Sequence, residues 1–177
     1  MTSRQTGFTL YELMMTLALG AVLTGLAAGS FSDTLARHRQ GVEIDALFHA
    51  IHLARKESVM RRKVVSLCPS SDGQSCAGGT DWSTGWIMFE NTDQDSPPAV
   101  DAGEVVLRRH RVDDQVVLVA NRQSFTLRAT FLRATNGTFV VCDSAARVPP
   151  KGLVVSYTGR PRVAFARPGG EPYSCVD

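Results

Sequence analysis

Hydrophobic and polar positions change their period twice along this chain, and each change marks a new element. From Leu13 to Phe31 the only polar side chains are Thr16, Thr24 and Ser30, so the segment is apolar on every face and reads as a helix buried all round. From Asp33 to Arg62 the apolar or small residues thin to Ile44, Leu47, Phe48, Ile51, Ala54 and Ser58 at three- and four-residue spacing. Arg37, Arg39, Glu43, Asp45, Arg55, Lys56, Arg61 and Arg62 mostly lie elsewhere. The helix therefore continues, with one face that needs a cover. After Lys63 the pattern becomes short β-rich runs: Val64 to Cys68, Gly85 to Glu90, Glu104 to His110, Gln115 to Ala120, Ser124 to Ala129, Thr138 to Asp143, Gly152 to Tyr157 and Arg162 to Phe165. Turn material separates them, notably Asp72-Gly73, Asn136-Gly137, Pro149-Pro150 and Gly169-Gly170. The pattern predicts an α+β fold in which a long N-terminal helix, first transmembrane and then amphipathic, packs on antiparallel β-sheet.

At about 1.5 Å per residue, Leu13 to Phe31 is roughly 28 Å long, close to the roughly 30 Å hydrocarbon core of a bilayer. Arg4 precedes the run, which holds that end in the cytoplasm and carries the rest of the chain across the membrane. An ordinary secretory signal peptide, with Arg4 as its charged start and cleavage near Ala27-Ala28-Gly29, is the simplest account of such a segment. Glu12 argues against it. A carboxylate at the head of an apolar helix is costly in lipid and calls for a partner. The natural partner is an α-amino group created by cleavage just before Phe8.

The 177 residues have room for one anchor helix and one globular domain of ordinary size, with no repeat or linker marking a second. The four cysteines all follow the apolar run, on the side expected to be periplasmic, so disulfides are their default state. Of the three possible connectivities the sequence favours Cys68 with Cys76, around a Gly-, Ser- and Asp-rich loop, and Cys142 with Cys175, stapling the C-terminus to a strand. Zinc is the competing use of these thiols, but no Cys-x-x-Cys pair or adjacent His cluster accompanies them, and no metal is expected. His38, His49, His52 and His110 form no metal or catalytic pattern, and nucleophile-elbow, His-Glu-x-x-His and phosphate-loop motifs are missing. No enzymatic activity and no cofactor are expected. Trp82 and Trp86 read as packing residues of the sheet and its edge.

The net charge of +2 hides a division along the chain. Residues 64–107 contain seven acids and no Lys or Arg, whereas residues 108–177 contain eleven basic residues against five acids. Such faces can complement each other between adjacent subunits. Asp93-Gln94-Asp95 with Asp101 could alternatively take calcium, although the spacing of an EF-hand is absent.

Gly7-Phe8-Thr9-Leu10-Tyr11-Glu12-Leu13 resembles the class III signal of type IV pilins and type II secretion pseudopilins. The resemblance implies that prepilin peptidase cuts after Gly7 and methylates Phe8. It also implies that Glu12 meets the N-terminal amine of a neighbouring subunit as a filament is assembled from the inner membrane. Tyr11 stands where an aliphatic residue is commoner, and Gly29 replaces a proline that often follows the alanines; glycine also weakens a helix locally. Further along, Leu53-Ala54-Arg55-Lys56-Glu57-Ser58, Val65-Ser66-Leu67-Cys68-Pro69-Ser70, the Trp82 and Trp86 pair and Gly159-Arg160-Pro161-Arg162 resemble the FimT and GspH family of minor pilins and pseudopilins. The implied architecture is the type IV pilin fold, with residues 1–7 as leader, 8–31 as the membrane and assembly half of the helix, and 32–177 as a periplasmic head in a single-pass protein that joins a surface pilus with other major and minor pilins.

Within that family the Gly159-Arg160-Pro161-Arg162 element resembles the DNA-contacting motif of FimT-type subunits implicated in natural transformation. Two arginines two residues apart on a loop can take two phosphates without reading base sequence, and Lys151 and Arg167 flank them. No aromatic ladder accompanies the element, although Tyr157 and Tyr173 are near in sequence, so the expected ligand is the backbone of double-stranded DNA, bound nonspecifically. The alternative is a structural subunit without a nucleic-acid ligand, either a minor pilin that primes assembly or a minor pseudopilin of a type II secretion system.

Overall fold

The computed structural model describes residues 7–129 and 134–175, and within the helix it leaves aside the side chains at 26–30. Arg4, the first six residues of the expected leader, and the side chains of Ala27, Ala28 and Gly29 therefore lie outside the described residues. A single 52-residue helix, α1 (Leu10–Arg61), precedes eight strands: β1 (Val64–Pro69), β2 (Trp86–Asn91), β3 (Val106–His110), β4 (Val116–Ala120), β5 (Phe125–Leu127), β6 (Gly137–Asp143), β7 (Lys151–Val155) and β8 (Pro161–Ala164). The chain divides into two compact units between Leu35 and Ala36.

In the first unit the helix opens with a reciprocal cap. The Thr9 backbone N–H donates to Glu12 Oε2 at 2.9 Å, and the Glu12 N–H donates to Thr9 Oγ1 at 3.3 Å, satisfying backbone donors that a helix start leaves without intrahelical partners. Downstream, the hydroxyls of Thr16 and Thr24 donate to the carbonyls of Leu13 and Gly20 within the helix, so neither polar group needs solvent. Phe8, Leu10, Tyr11, Leu13, Met14, Leu17, Leu19, Val22 and Leu23 are all exposed. Among the described residues no helix is long and apolar enough to cross a membrane, and the expected span runs through the side chains at 26–30.

In the second unit the expected sheet is divided into two antiparallel four-stranded sheets, ordered β3-β2-β1-β5 and β4-β6-β7-β8. The amphipathic stripe of α1 finds its cover here. Ile44, Leu47, Ile51 and Ala54 join Val65, Leu67, Met88, Phe125, Leu118, Phe139, Leu153 and Val155, from both sheets, in one buried cluster. Both tryptophans are fully buried; Trp82 meets the rings of Phe125 and Phe139 at 5.9 and 4.9 Å, and Trp86 stacks on His110 at 5.0 Å. Polar ties fix the helix on the sheets. The buried Gln40 donates to the carbonyls of Val141 and Pro149, and the buried Glu43 accepts from the Asp113 N–H and pairs with His110 Nε2 at 2.7 Å.

All eight β-rich runs become strands, with ends that move by no more than two residues in either direction. The expected third run starts at Val106, not Glu104, because the Glu104 carboxylate accepts from the Thr92 and Asp101 N–H groups and belongs to the loop. Cys68 is bonded to Cys76 and Cys142 to Cys175, with Cα separations of 5.5 and 6.3 Å. The second bridge lays the C-terminal segment over the outer face of the second sheet, where Tyr173 and Cys175 pack with Val117, Val119, Val140 and Val154.

Candidate nucleic-acid interface and assembly motif

Five residues, Ser156 to Arg160, reverse the chain between β7 and β8. Ser156 closes the reversal from both sides: its N–H and hydroxyl donate to the Arg160 carbonyl at 3.1 and 3.2 Å, and its hydroxyl accepts from the Arg160 N–H at 3.1 Å. Gly159 sits at φ +72°, and a Cβ there would stand 3.0 Å from Arg55 Nη1 and 3.2 Å from Leu127 Cδ2. The backbone angle favours glycine, and a Cβ would press closely on both side chains. Arg55, from α1, donates through Nη1 to the Thr158 carbonyl and so anchors the turn from below. Sequence reasoning missed this residue: Arg55 lay in a segment carrying the family resemblance, but nothing local linked it to a turn 103 residues away.

Arg160 and Arg162 are exposed, with the buried Pro161 between them starting the edge strand β8. Among the described residues neither guanidinium has an ion-pair partner. The register pairs Val155 with Pro161 and Gly152 with Ala164, which puts Lys151 beside Phe165 at the far end of the hairpin; the Lys151 ammonium lies 6.0 Å from the Phe165 ring centroid. Arg167 is exposed in the following turn, whose N–H bonds the Glu171 carbonyl. Gly159, Arg160, Arg162, Lys151 and Arg167 therefore all belong to one hairpin and its immediate continuation. The aromatic residues sort differently from the expectation. Tyr173 is buried against Gly152, while Tyr157 and Phe165 are 60% and 73% exposed.

Several acids of the chain are held by internal donors. Glu90 is buried and receives Lys63 Nζ at 2.6 Å and Arg61 Nη1 at 2.7 Å; these bonds hold its carboxyl below the usual range. Asp143 is likewise buried, and its two bonds from the Arg147 guanidinium bring its pKa down to about 2. Asp72 is held low by the Ser75 hydroxyl and the backbone N–H groups of its own loop. Asp93, Asp95 and Asp101 bring oxygens within 4.8 Å of one another, and desolvation, with repulsion from Asp93, Asp95 and Glu104, raises the Asp101 carboxyl. Internal donors already engage this loop: Asp95 accepts from the Asn91 side chain and the Ala99 N–H. Among the histidines, His38, His49 and His52 are exposed, and His110 is committed to Glu43.

At the other end of the chain, the Glu12 carboxylate caps the start of α1. One of its oxygens accepts from both the N–H and the hydroxyl of Thr9, each at 2.9 Å, and the residue is exposed. Gly7 and Phe8 lie in non-helical backbone just ahead of the first turn.

Comparison with known proteins gives two family matches. The model described as Type II transport protein GspH matches residues 43–169, and that of the prokaryotic N-terminal methylation motif matches residues 2–28. Among curated proteins no sequence matches the chain significantly. A crystal structure of the type IV minor pilin FimU of Pseudomonas aeruginosa superposes with a TM-score of 0.54 at 19% identity, over 79% of this chain and 97% of that one. The minor pseudopilin EpsH from the Type 2 Secretion System of Vibrio cholerae gives 0.51 at 8% identity, over 71% and 96%. At such identities the likeness is one of fold.

Proposed function

The chain belongs to the GspH family of minor pilins and pseudopilins, and from that premise we propose that it is a minor pilin that binds DNA nonspecifically for uptake through the β7–β8 hairpin. The observation that carries the DNA reading is the pair of exposed arginines, Arg160 at the turn and Arg162 at the start of β8, which have no ion-pair partner among the described residues. A guanidinium without an internal partner keeps its full attraction for phosphate, and the hairpin offers two of them with Lys151 and Arg167 at its margins. The N-terminal half supplies the mounting. Residues 8–31 anchor the subunit in the inner membrane after cleavage at Gly7 and methylation of Phe8, and Glu12 engages the amine of a neighbouring subunit. In support, the described apolar side chains of this half are exposed and the hydroxyls of Thr16 and Thr24 are satisfied within the helix.

The test is a fluorescence-anisotropy titration of the full-length protein in detergent against mixed-sequence DNA over a range of salt. Arg160→Ala with Arg162→Ala should flatten the slope of log affinity against log salt by about 1.4 to 1.8, two phosphate contacts' worth. Unchanged affinity in the double variant would remove the hairpin from the interface. A second reading, a pseudopilin of a type II secretion system with no DNA role, is favoured by the description of the matching family and predicts no binding by the wild-type protein at low salt. For the anchor, mass spectrometry of the native protein should find an N-methylated Phe8; cleavage after Ala28 would identify an ordinary signal peptide.

A further inference from the structure

The register of the second sheet separates the two sides of the hairpin. Leu153 and Val155 of β7 belong to the main buried cluster, while Val154 packs with Val140, Cys142 and Tyr173 on the outer face. β8 follows its partner: Arg162 lies across from Val154 and takes the outer face, whereas Val163 lies across from Leu153 and goes with the inward set. By the same two-residue period Arg160 shares the face of Arg162, and Lys151 and Phe165 share that of Leu153 and Val163. The two arginines are therefore on one side of the sheet, and Lys151 is on the other.

Followed across the strands, the row that holds Arg162 continues through Val154 of β7 and Thr138 of β6 to Asn121, just past β4. Three strand spacings make it about 14 Å long. The C-terminal segment, stapled at Cys175, covers the neighbouring row at Val140 and Gly152. This row is left open: Arg162 and Asn121 are exposed, and Thr138 and Val154 are half-exposed. Asn121 is fixed because its Oδ1 accepts the Thr138 N–H at 2.8 Å, and among the described residues its amide NH2 and the Thr138 hydroxyl have no partner. Apart from Asp143, buried against Arg147, the strands of this sheet contain no acid.

Phosphate oxygens accept hydrogen bonds from Asn and Thr side chains as well as from Arg, and a neutral donor adds affinity without releasing counterions. At about 3.4 Å of axis per phosphate along one strand, a row of this length spans roughly four phosphates. We propose, resting on the reading of this hairpin as a DNA site, that DNA lies on the outer face of the second sheet, with one part of its backbone on Arg160 and Arg162 and another on Asn121 and Thr138. The opposite side of the hairpin, with Val163 and Phe165, makes no contact with it.

The test is an anisotropy titration of full-length protein in detergent with a mixed-sequence duplex over a range of salt. Thr138→Val keeps the branched shape and removes the hydroxyl. Asn121→Asp keeps the acceptor for the Thr138 N–H and puts a negative charge where the donor was, and Phe165→Glu adds the same charge on the opposite face of the hairpin. Thr138→Val should lose about fivefold in affinity at every salt concentration, with the slope of log affinity against log salt unchanged. Asn121→Asp should lose about tenfold or more at low salt, and Phe165→Glu less than about threefold. Circular dichroism and the melting temperature report that the variants are folded; should Asn121→Asp unfold, Thr138→Val against Phe165→Glu decides alone. Equal losses on the two faces, or unchanged affinity in Thr138→Val and Asn121→Asp, overturn the outer-face placement, and the arginine site survives that result so long as Arg160→Ala with Arg162→Ala still loses affinity. If the folded wild type fails to bind the duplex at low salt, the DNA reading itself fails and takes this inference with it.

Discussion

At the end of α1, Arg61 and Lys63 converge on the buried Glu90 carboxylate at 2.7 and 2.6 Å, whereas on the β7–β8 hairpin Arg160 and Arg162 are exposed and, among the described residues, pair with no acid. The two regions use the same residue types for opposite ends. In the first, the helix closes at Arg62 with φ +56°, and the two cations flanking that closure lock it to β2. In the second, the locking is done by other groups, Arg55, Ser156 and Gly159, which leaves the arginines available. Cation count along a sequence therefore says little about a ligand. What matters is whether the fold has already supplied a counter-charge.

The comparison can be broken most forcefully at the clasp. Arg61→Ala with Lys63→Ala strands the Glu90 carboxylate in the interior and should cost about 3 kcal/mol of stability, read from urea unfolding. DNA affinity should not change. The mirror experiment, Arg160→Ala with Arg162→Ala, should lower DNA affinity by about a hundredfold at low salt, roughly 2.7 kcal/mol, and leave unfolding within about 0.5 kcal/mol of wild type. A large stability loss there would mean that these arginines are structural after all.

Acid sharpens the same contrast by removing one internal pair. The folded Asp143 carboxyl, at about 2, lies below the 3.8 of an unperturbed one, so its contribution is present above about pH 3.8 and is lost as pH falls towards 2. The loss amounts to about 2 kcal/mol, and Asp143→Asn should flatten that part of the stability curve between pH 4 and 2. Glu90 acts in the same direction, being lowered by Lys63 and Arg61. The smallest effect is expected at Arg55. Its truncation removes one hydrogen bond beneath the turn, which should cost about 1 kcal/mol and reduce DNA affinity only a few fold, because Arg160 keeps its charge but loses its fixed position. An Arg55→Ala variant with wild-type salt dependence and slightly weaker binding would establish it as a positioning residue.

Much of this architecture is local enough to be legible from the chain. The helix from Asp33 to Arg62 announces itself because Ile44, Leu47, Ile51 and Ala54 repeat at the helical period, and each strand is bounded by residues whose backbone preferences end it. The cysteine pairing is legible for a similar reason, since a short polar loop joins Cys68 to Cys76 and leaves the two late cysteines for each other. Other features are contacts between positions far apart in sequence, which no window contains. The Glu43 pair with His110, Gln40 on Val141, and Arg55 on Thr158 are of this kind. So is the burial of Tyr173, which follows from the staple at Cys175 and the absence of a side chain at Gly152.

By itself the sequence determined the element types, the apolar N-terminal half with its single carboxylate, and the presence of a glycine turn just ahead of two arginines, because each depends on periodicity or on intrinsic backbone preference. Only the tertiary structure decided the division into two sheets and which charges are consumed internally. Those outcomes depend on what a residue meets across the fold: an arginine is a clasp where a buried carboxylate faces it, and stays exposed where, among the described residues, no acid pairs with it.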